Sequence, residues 1–404
     1  MINVVIFNGG RGAGTIIPAL QSIENLNITS IVNAYDDGKS TGEIRKFFNM
    51  LGPSDIRKVQ QLMLPKNDPD FKSNNWIFDY RFPINQSSQK IKKELVKEIN
   101  HKKNNFFGNK FHNTELIQQL KFFLKIFIKN LELIERGSNF KSFNFRDCSL
   151  VNCIYAGAFI HYKRNIEFAS LEIEKLFNLT GSVIPTSLEN KKLVGMRKNG
   201  EMLYSEAEIV ELRSNVSIDR VYLIDDYPSK KYFERLSSAQ KKSFLENHET
   251  YVEGSSRAKH AINSADIIIY SAGTQHSSLY PTYLTRGLAR SIADNKKALK
   301  FFITNVGADY ETPKYKAHDY IEGAFKYLCL SENRNFEIRE LFTYAFINKS
   351  NRQKKVNYVK IESNHLKKIP LKILVGDYES DVKPGKHDGL KVVKKIISLY
   401  RKKN

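Results

Sequence analysis

The chain has 404 residues, 41% hydrophobic and 26% charged, a balance that supports a sizeable core and excludes wholesale disorder. Its formal charge of +21 favours anionic ligands, yet the basic residues are spread along the chain rather than gathered in a block, which argues against a nucleic-acid binder. Three cysteines, Cys148, Cys153 and Cys329, form no CxxC pair, so a reducing, cytoplasmic compartment is expected and a structural zinc is not.

Met1–Phe7 carries no basic n-region and no small-residue cleavage site, so no secretion signal is expected. Residues 2–7 read as a buried strand closed by Asn8-Gly9-Gly10. A helix follows, with Ile16, Ile17, Leu20 and Ile23 at helical spacing, and then a strand over Ile28–Ala34. Strand, glycine turn, helix and strand make a βαβ unit, which demands a parallel sheet.

Residues 65–147 are polar, rich in Lys and Asn, and carry helical patterns over Gln89–Asn100 and Thr114–Arg136. They predict a helical insertion or lid. The most apolar stretch, Phe122–Lys129, is interrupted by Lys125 and Lys129, so no membrane span is expected. The alternation then resumes, with helix over Val151–Leu176 and strands over Val183–Thr186, Arg220–Ile224, Ala265–Tyr270 and Phe301–Asn305. A helix bearing Leu284, Leu288 and Ile292 follows Ala265–Tyr270, and Ile369–Val375 and Gly389–Arg401 read as a last strand and helix. The expected fold is α/β, a Rossmann-like, doubly wound, mostly parallel sheet. Residues 1–64 and 148–330 would form its nucleotide-binding core, and 331–404 a C-terminal extension packed on it.

The turn Asn8-Gly9-Gly10-Arg11-Gly12-Ala13-Gly14-Thr15 leads from a strand into a helix. Such a turn gathers unpaired backbone N–H groups and the positive end of a helix dipole, which suits a phosphate. Arg11 adds a positive side chain. No GK[ST] closes the loop, and Thr15 stands where a dinucleotide fingerprint has its third glycine. At the end of the second strand stands Tyr35-Asp36-Asp37-Gly38-Lys39-Ser40-Thr41-Gly42, on the sheet edge where open parallel sheets bind ligands. Its paired carboxylates suit a divalent cation or a general base, or equally a turn that caps the next helix. Gly52-Pro53-Ser54-Asp55-Ile56-Arg57-Lys58 is a third loop of this type.

In order, these segments resemble the CofD-like family, which includes 2-phospho-L-lactate transferases and YvcK-type gluconeogenesis factors. Further downstream, Tyr80-Arg81-Phe82, Ser149-Leu150-Val151-Asn152, Val183–Thr186, Ala265–Ile269 with Gly273-Thr274 and Ser277–Pro281, and Asn305 with Glu311-Thr312 are similar to its motifs. The chain departs from the family at Asn8, Arg11, Lys39 and Ala272-Gly273-Thr274. The resemblance implies a nucleotide diphosphate conjugate as substrate or ligand, and Mg2+ held by Asp36 and Asp37. Gly9, Gly10, Arg11, Gly12, Lys39, Ser40, Asn152, Gly273, Thr274 and Ser277 would bind the ligand, and Asp36, Asp37 and Asp55 would be catalytic.

The expected reaction is transfer of a phosphate-linked group from a nucleotide diphosphate donor to an acceptor hydroxyl. The alternative is a non-catalytic regulator that binds a UDP-sugar. A nicotinamide dehydrogenase is disfavoured, because neither the third glycine nor a placed catalytic His or Tyr is found. A homodimer is left open. His318-Asp319 and His387-Asp388 stand out as pairs, although such two-residue matches are common by chance.

Overall fold

The computed structural model describes residues 1–10, 12–100, 112–137, 142–350, 352 and 355–403. Arg11 and the side chain of Lys39 lie outside the described residues. The chain forms two compact units, Met1–Tyr35 with Ile184–Asn404, and Asp36–Val183.

The first unit is built on a seven-stranded sheet ordered β10-β9-β8-β7-β1-β2-β3. Its strands are β1 (Ile2–Phe7), β2 (Leu26–Val32), β3 (Ser182–Pro185), β7 (Ile267–Tyr270), β8 (Leu299–Ile303), β9 (Tyr344–Asn348) and β10 (Lys372–Gly376). The chain passes from one unit to the other within β3. β1 lies parallel to β2 on one side and to β7 on the other, and β8, β9 and β10 continue in parallel. Val4–Phe7 and all of β7 are buried, which explains their unbroken apolar runs, and β8 is buried along its length with Lys300 enclosed among its apolar residues. The strand order reverses between β1 and β7, so the topological switch point lies at their carboxyl ends.

Around this sheet run α1 (Ala13–Gln21), α12 (Ser256–Ser264), α13 (Tyr280–Tyr283), α14 (Leu288–Asp294), α15 (Ala317–Leu330), α16 (Ile338–Leu341), α17 (Ser363–Leu366) and α18 (Gly389–Lys403). Gly389 is where α18 meets α1. A Cβ there would lie 2.0 Å from the Thr15 carbonyl oxygen. A small antiparallel sheet, β5-β4-β6, forms from β4 (Lys192–Arg197), β5 (Met202–Leu203) and β6 (Ile218–Ile224). With α9 (Glu206–Glu211), α10 (Lys230–Phe233) and α11 (Ser238–His248), it closes its own core around Val194, Tyr222, Phe233 and Leu245.

The second unit is helical: α2 (Lys39–Phe48), α3 (Ser54–Leu62), α4 (Phe71–Asp79), α5 (Ser88–Asn100), α6 (Thr114–Gly137), α7 (Leu150–His161) and α8 (Ile166–Leu176). Leu150–Phe159 of α7 are all buried, as expected of a helix at the centre of a bundle. Gly157 lets α7 approach α6 closely, since a Cβ there would lie 1.9 Å from the Phe123 carbonyl oxygen.

Several boundaries differ from the sequence reading. The helical region spans Asp36–Val183 rather than 65–147, and residues beyond 330 contribute β9 and β10 to the main sheet. The helix expected over Val151–Leu176 breaks where Lys163 and Arg164 take positive φ values of 54° and 61°. Asn165 then caps α8, its side chain accepting from the Glu167 and Phe168 N–H groups. The pattern at Leu284–Ile292 is cut by Gly287 at φ 85°. Arg220–Ile224 is a strand, but it belongs to the small sheet.

Candidate functional site

In the first unit, the turn after β1 and the turn after β7 meet at the switch point. A Cβ on Gly12 would lie 2.4 Å from the Ala272 carbonyl oxygen. Gly12 has φ −64°, so it is needed there for close approach and not for a left-handed backbone. Gly14, by contrast, has open space around it. Gly9 and Gly10 are buried, and the Gly9 carbonyl accepts the Ala13 N–H at 3.2 Å. Among the described residues, the N–H groups of Gly9, Gly10, Gly12 and Thr274 meet no acceptor. Asn8 is fully buried. Its Oδ1 accepts the Ser30 hydroxyl at 3.2 Å, and its Nδ2 has no partner among the described residues.

The turn after β7 is braced from behind. Asn305 accepts the Gly273 N–H at 3.0 Å and donates to the Gly273 carbonyl at 3.1 Å. Gln275–Leu279 form one π-helical turn, and Asn33 donates to the Ser278 carbonyl at 2.8 Å. Glu311 accepts the N–H groups of His276 and Ser277 at 2.7 and 3.0 Å, and the Ser277 hydroxyl at 2.5 Å. The N–H groups of Gly273 and Ser277 are therefore committed inside the protein. Of the three ligand-binding candidates in this turn, Thr274 is the one whose N–H meets no acceptor among the described residues.

Burial, helped by the nearby Asp309 carboxylate, pushes the Glu311 carboxyl up to about 8. Asp309 is itself raised by burial, although it accepts from Thr312 and from the Glu311 N–H. His276 is buried, and burial with Arg197 nearby lowers it to about 3, so its ring is neutral at physiological pH. The sequence reading placed Asn305 and Glu311 only as family-like positions, and it passed over Asn33. Their spacing relative to the glycine turn carries no chemical signal, because they act on backbone from loops distant in the chain.

In the second unit, Asp36 opens a tight loop into α2. Its Oδ1 accepts the Gly38 N–H at 3.0 Å, and its carbonyl accepts from Arg45 at 3.3 Å. Gly42 packs on this loop, since a Cβ there would lie 2.1 Å from the Asp37 carbonyl oxygen. Lys58 stands between two carboxylates, 3.8 Å from Asp36 and 3.3 Å from Asp55. Asn152, fully buried on α7, donates to the Ser40 and Thr41 hydroxyls at 3.2 and 3.4 Å. It therefore supports the first turn of α2, while its Oδ1 has no partner among the described residues. Arg57 is buried, donates to the Phe78 carbonyl at 3.1 Å, and is lowered to about 10 by burial and Arg81.

The donor set around Asp36 does not fit an open Mg2+ position. One carboxylate oxygen is held by Gly38, and the Lys58 ammonium supplies the positive charge between Asp36 and Asp55.

Among curated proteins, the putative gluconeogenesis factor of Clostridium acetobutylicum is 22% identical over 403 residues, covering 99% of this chain and 70% of that protein. The putative gluconeogenesis factor of Thermotoga maritima is 23% identical, over 81% of this chain and 76% of that one. The gluconeogenesis factor of Halalkalibacterium halodurans is 24% identical, over 79% and 72%. A crystal structure of a Bacillus halodurans protein shares the fold, with a TM-score of 0.66 at 19% identity, covering 98% of this chain and 99% of that one. The family model described as 2-phospho-L-lactate transferase CofD matches residues 4–378, and the chain therefore belongs to the CofD family.

Proposed function

We propose that the protein binds a nucleotide diphosphate conjugate at the switch point of its parallel sheet and transfers the phosphate-linked group to an acceptor hydroxyl. The observation that carries this reading is the set of N–H groups on Gly9, Gly10, Gly12 and Thr274, which meet no acceptor among the described residues. Gly9, Gly10 and Gly12 lead into the N-terminus of α1 and Thr274 stands on the turn after β7, the two turns meeting where Gly12 packs on the Ala272 carbonyl. Such donors suit a diphosphate, whose charge the helix dipole also favours.

In this reading the acceptor oxygen forms a new bond to phosphorus as the phosphoanhydride opens and a nucleoside monophosphate leaves. By resemblance to the family motif, Asp37 is the group assigned to the hydroxyl and its proton. Arg11 supplies positive charge for the transferring group. Asp36 and Asp55 hold Lys58, and Asn152 steadies Ser40 at the start of α2.

A second reading is binding without turnover, as a regulator that senses a UDP-sugar. It is favoured by the Asp36 carboxylate being tied to Gly38 and Lys58, and by relatives that bear the name gluconeogenesis factor. A thermal-shift screen of GDP, UDP, CDP and their sugar or phosphoester conjugates, with and without Mg2+, tests both readings. A ligand that binds only the folded state raises the melting temperature. Product formed on long incubation with a hydroxyl acceptor selects the transferase, and intact ligand after the same incubation selects the regulator. No shift with any nucleotide overturns both.

A further inference from the structure

We propose that the first unit carries a binding site for a zinc-class transition-metal ion formed by His318, Glu362 and His365. One ligand atom from each of the three lies within 4.8 Å of the others. The imidazole rings of His318 and His365 stack 4.7 Å apart at 17°. Glu362 Oε2 stands 3.0 Å from His365 Nδ1. The sequence reading expected no structural zinc on the ground of cysteine spacing. A site of two imidazoles and a carboxylate has no cysteine and leaves no such trace.

The local structure explains why these residues meet. Glu362 caps α17 and His365 lies one turn later, an i,i+3 spacing that puts both on one face. His318 is in the first turn of α15. The two segments are tied by backbone: the Ala317 N–H donates to the Lys360 carbonyl at 2.9 Å, and Lys316 and Lys360 form an isolated parallel bridge.

A second observation points to a ligand. His318 is only 7% exposed, and its Nδ1 is buried without a hydrogen-bond partner among the described residues. A buried nitrogen left unmet is destabilising, and a bound cation would satisfy it. Its Nε2 lies 3.5 Å from Asp319 Oδ1, the kind of outer carboxylate that orients a metal-bound imidazole. Lys316 pairs with Glu362 Oε1, which leaves Oε2 to face the histidines.

Two nitrogens and one carboxylate oxygen suit Zn2+ and its neighbours Co2+ and Ni2+, and do not suit Mg2+ or Ca2+, which take oxygen ligands. A metal ion lies in the plane of each imidazole it binds, so His365 must turn out of its stack on His318, and the three side chains must close to ligand bonds of about 2.0–2.2 Å. His365 is exposed and free to make that movement. The ion replaces the His365–Glu362 hydrogen bond and leaves its fourth position to water. By pinning α15 to α17 it also fixes the segment that runs back from α15 to Glu311, behind the turn after β7.

The test uses tag-free full-length protein cleared of metal with EDTA and titrated with ZnCl2 alone. The expected result is one Zn2+ per chain, a rise in melting temperature, and a tetrahedral visible band when Co2+ is used instead. His365→Ala and Glu362→Gln, both at solvent-accessible positions, should each lower Zn2+ affinity by at least about 100-fold, the upper end of what loss of an outer partner costs. Their melting temperatures in EDTA should match that of the parent chain. Absence of Zn2+ binding by the parent chain overturns the proposal. So does affinity unchanged in both variants, or equal competition by Mg2+. None of these outcomes depends on nucleotide binding.

Discussion

Glu311 grips Ser277 twice, accepting its hydroxyl at 2.5 Å through Oε1 and its N–H at 3.0 Å through Oε2. A buried carboxyl thus sets the shape of the turn after β7 from a loop thirty-odd positions further along the chain.

That grip has a pH signature. Burial and Asp309 raise the Glu311 carboxyl from 4.5 to about 8. Between those values the folded chain holds a proton that the unfolded chain has released. Stability from this group is therefore fully present below about 4.5 and is lost as pH rises towards about 8, by at most about 1.4 kcal/mol per pH unit. Glu311→Gln removes the titration. Denaturant melts from pH 5 to 9 should show the parent losing stability relative to Glu311→Gln across this window, and parallel curves would refute the assignment.

Gly12→Ala places a methyl 2.4 Å from the Ala272 carbonyl oxygen, a backbone atom that cannot swing aside. The expected cost is about 1–3 kcal/mol of stability. Nucleotide affinity should fall at least tenfold, because the two turns must separate. Gly14→Ala, with open space around its site, is the control and should leave affinity unchanged in calorimetric titration.

Asp37→Asn keeps size and removes the proton acceptor. Under the transferase reading, turnover should fall by about 10²–10⁴-fold with nucleotide affinity changed only a few-fold. Steady-state rates combined with equilibrium binding measure the two separately. A variant that keeps its turnover removes Asp37 from the mechanism.

Gly157→Ala tests the helical unit. The added methyl would stand 1.9 Å from the Phe123 carbonyl oxygen, so α6 and α7 must part. A loss of about 3 kcal/mol or more in a denaturant melt is expected, at the upper end of the range for an overfilled core. A change under 0.5 kcal/mol would show that the helices slide past one another without cost.

Much of the architecture is legible in the chain because it is local. Val4–Phe7, Ile267–Tyr270 and Phe301–Ile303 announce buried strands by unbroken apolar runs, and Thr114–Gly137 announces a helix by its periodicity. The second strand of the βαβ unit and the glycine turn follow from the same logic. What failed had competing local signals. The break between α7 and α8 depends on two residues with positive φ, and α7 has little periodicity because it is buried on every side. The strand β9 is only five residues long, too short a run to stand out as a strand by its pattern alone.

The glycine turn, the paired aspartates and the order of the family motifs were fixed by the sequence itself, since each is a run of adjacent residues whose chemistry needs no partner to be recognised. Only the tertiary structure could decide that Gly12 is required by a neighbouring carbonyl and not by its own backbone angle. The same holds for the committed N–H groups of Gly273 and Ser277, for Lys58 between Asp36 and Asp55, and for His318 beside Glu362 and His365. The physical reason is common to all four. Hydrogen bonds, ion pairs and close contacts act over a few ångströms, and the fold brings residues separated by tens or hundreds of positions within that range, so sequence spacing carries no record of them.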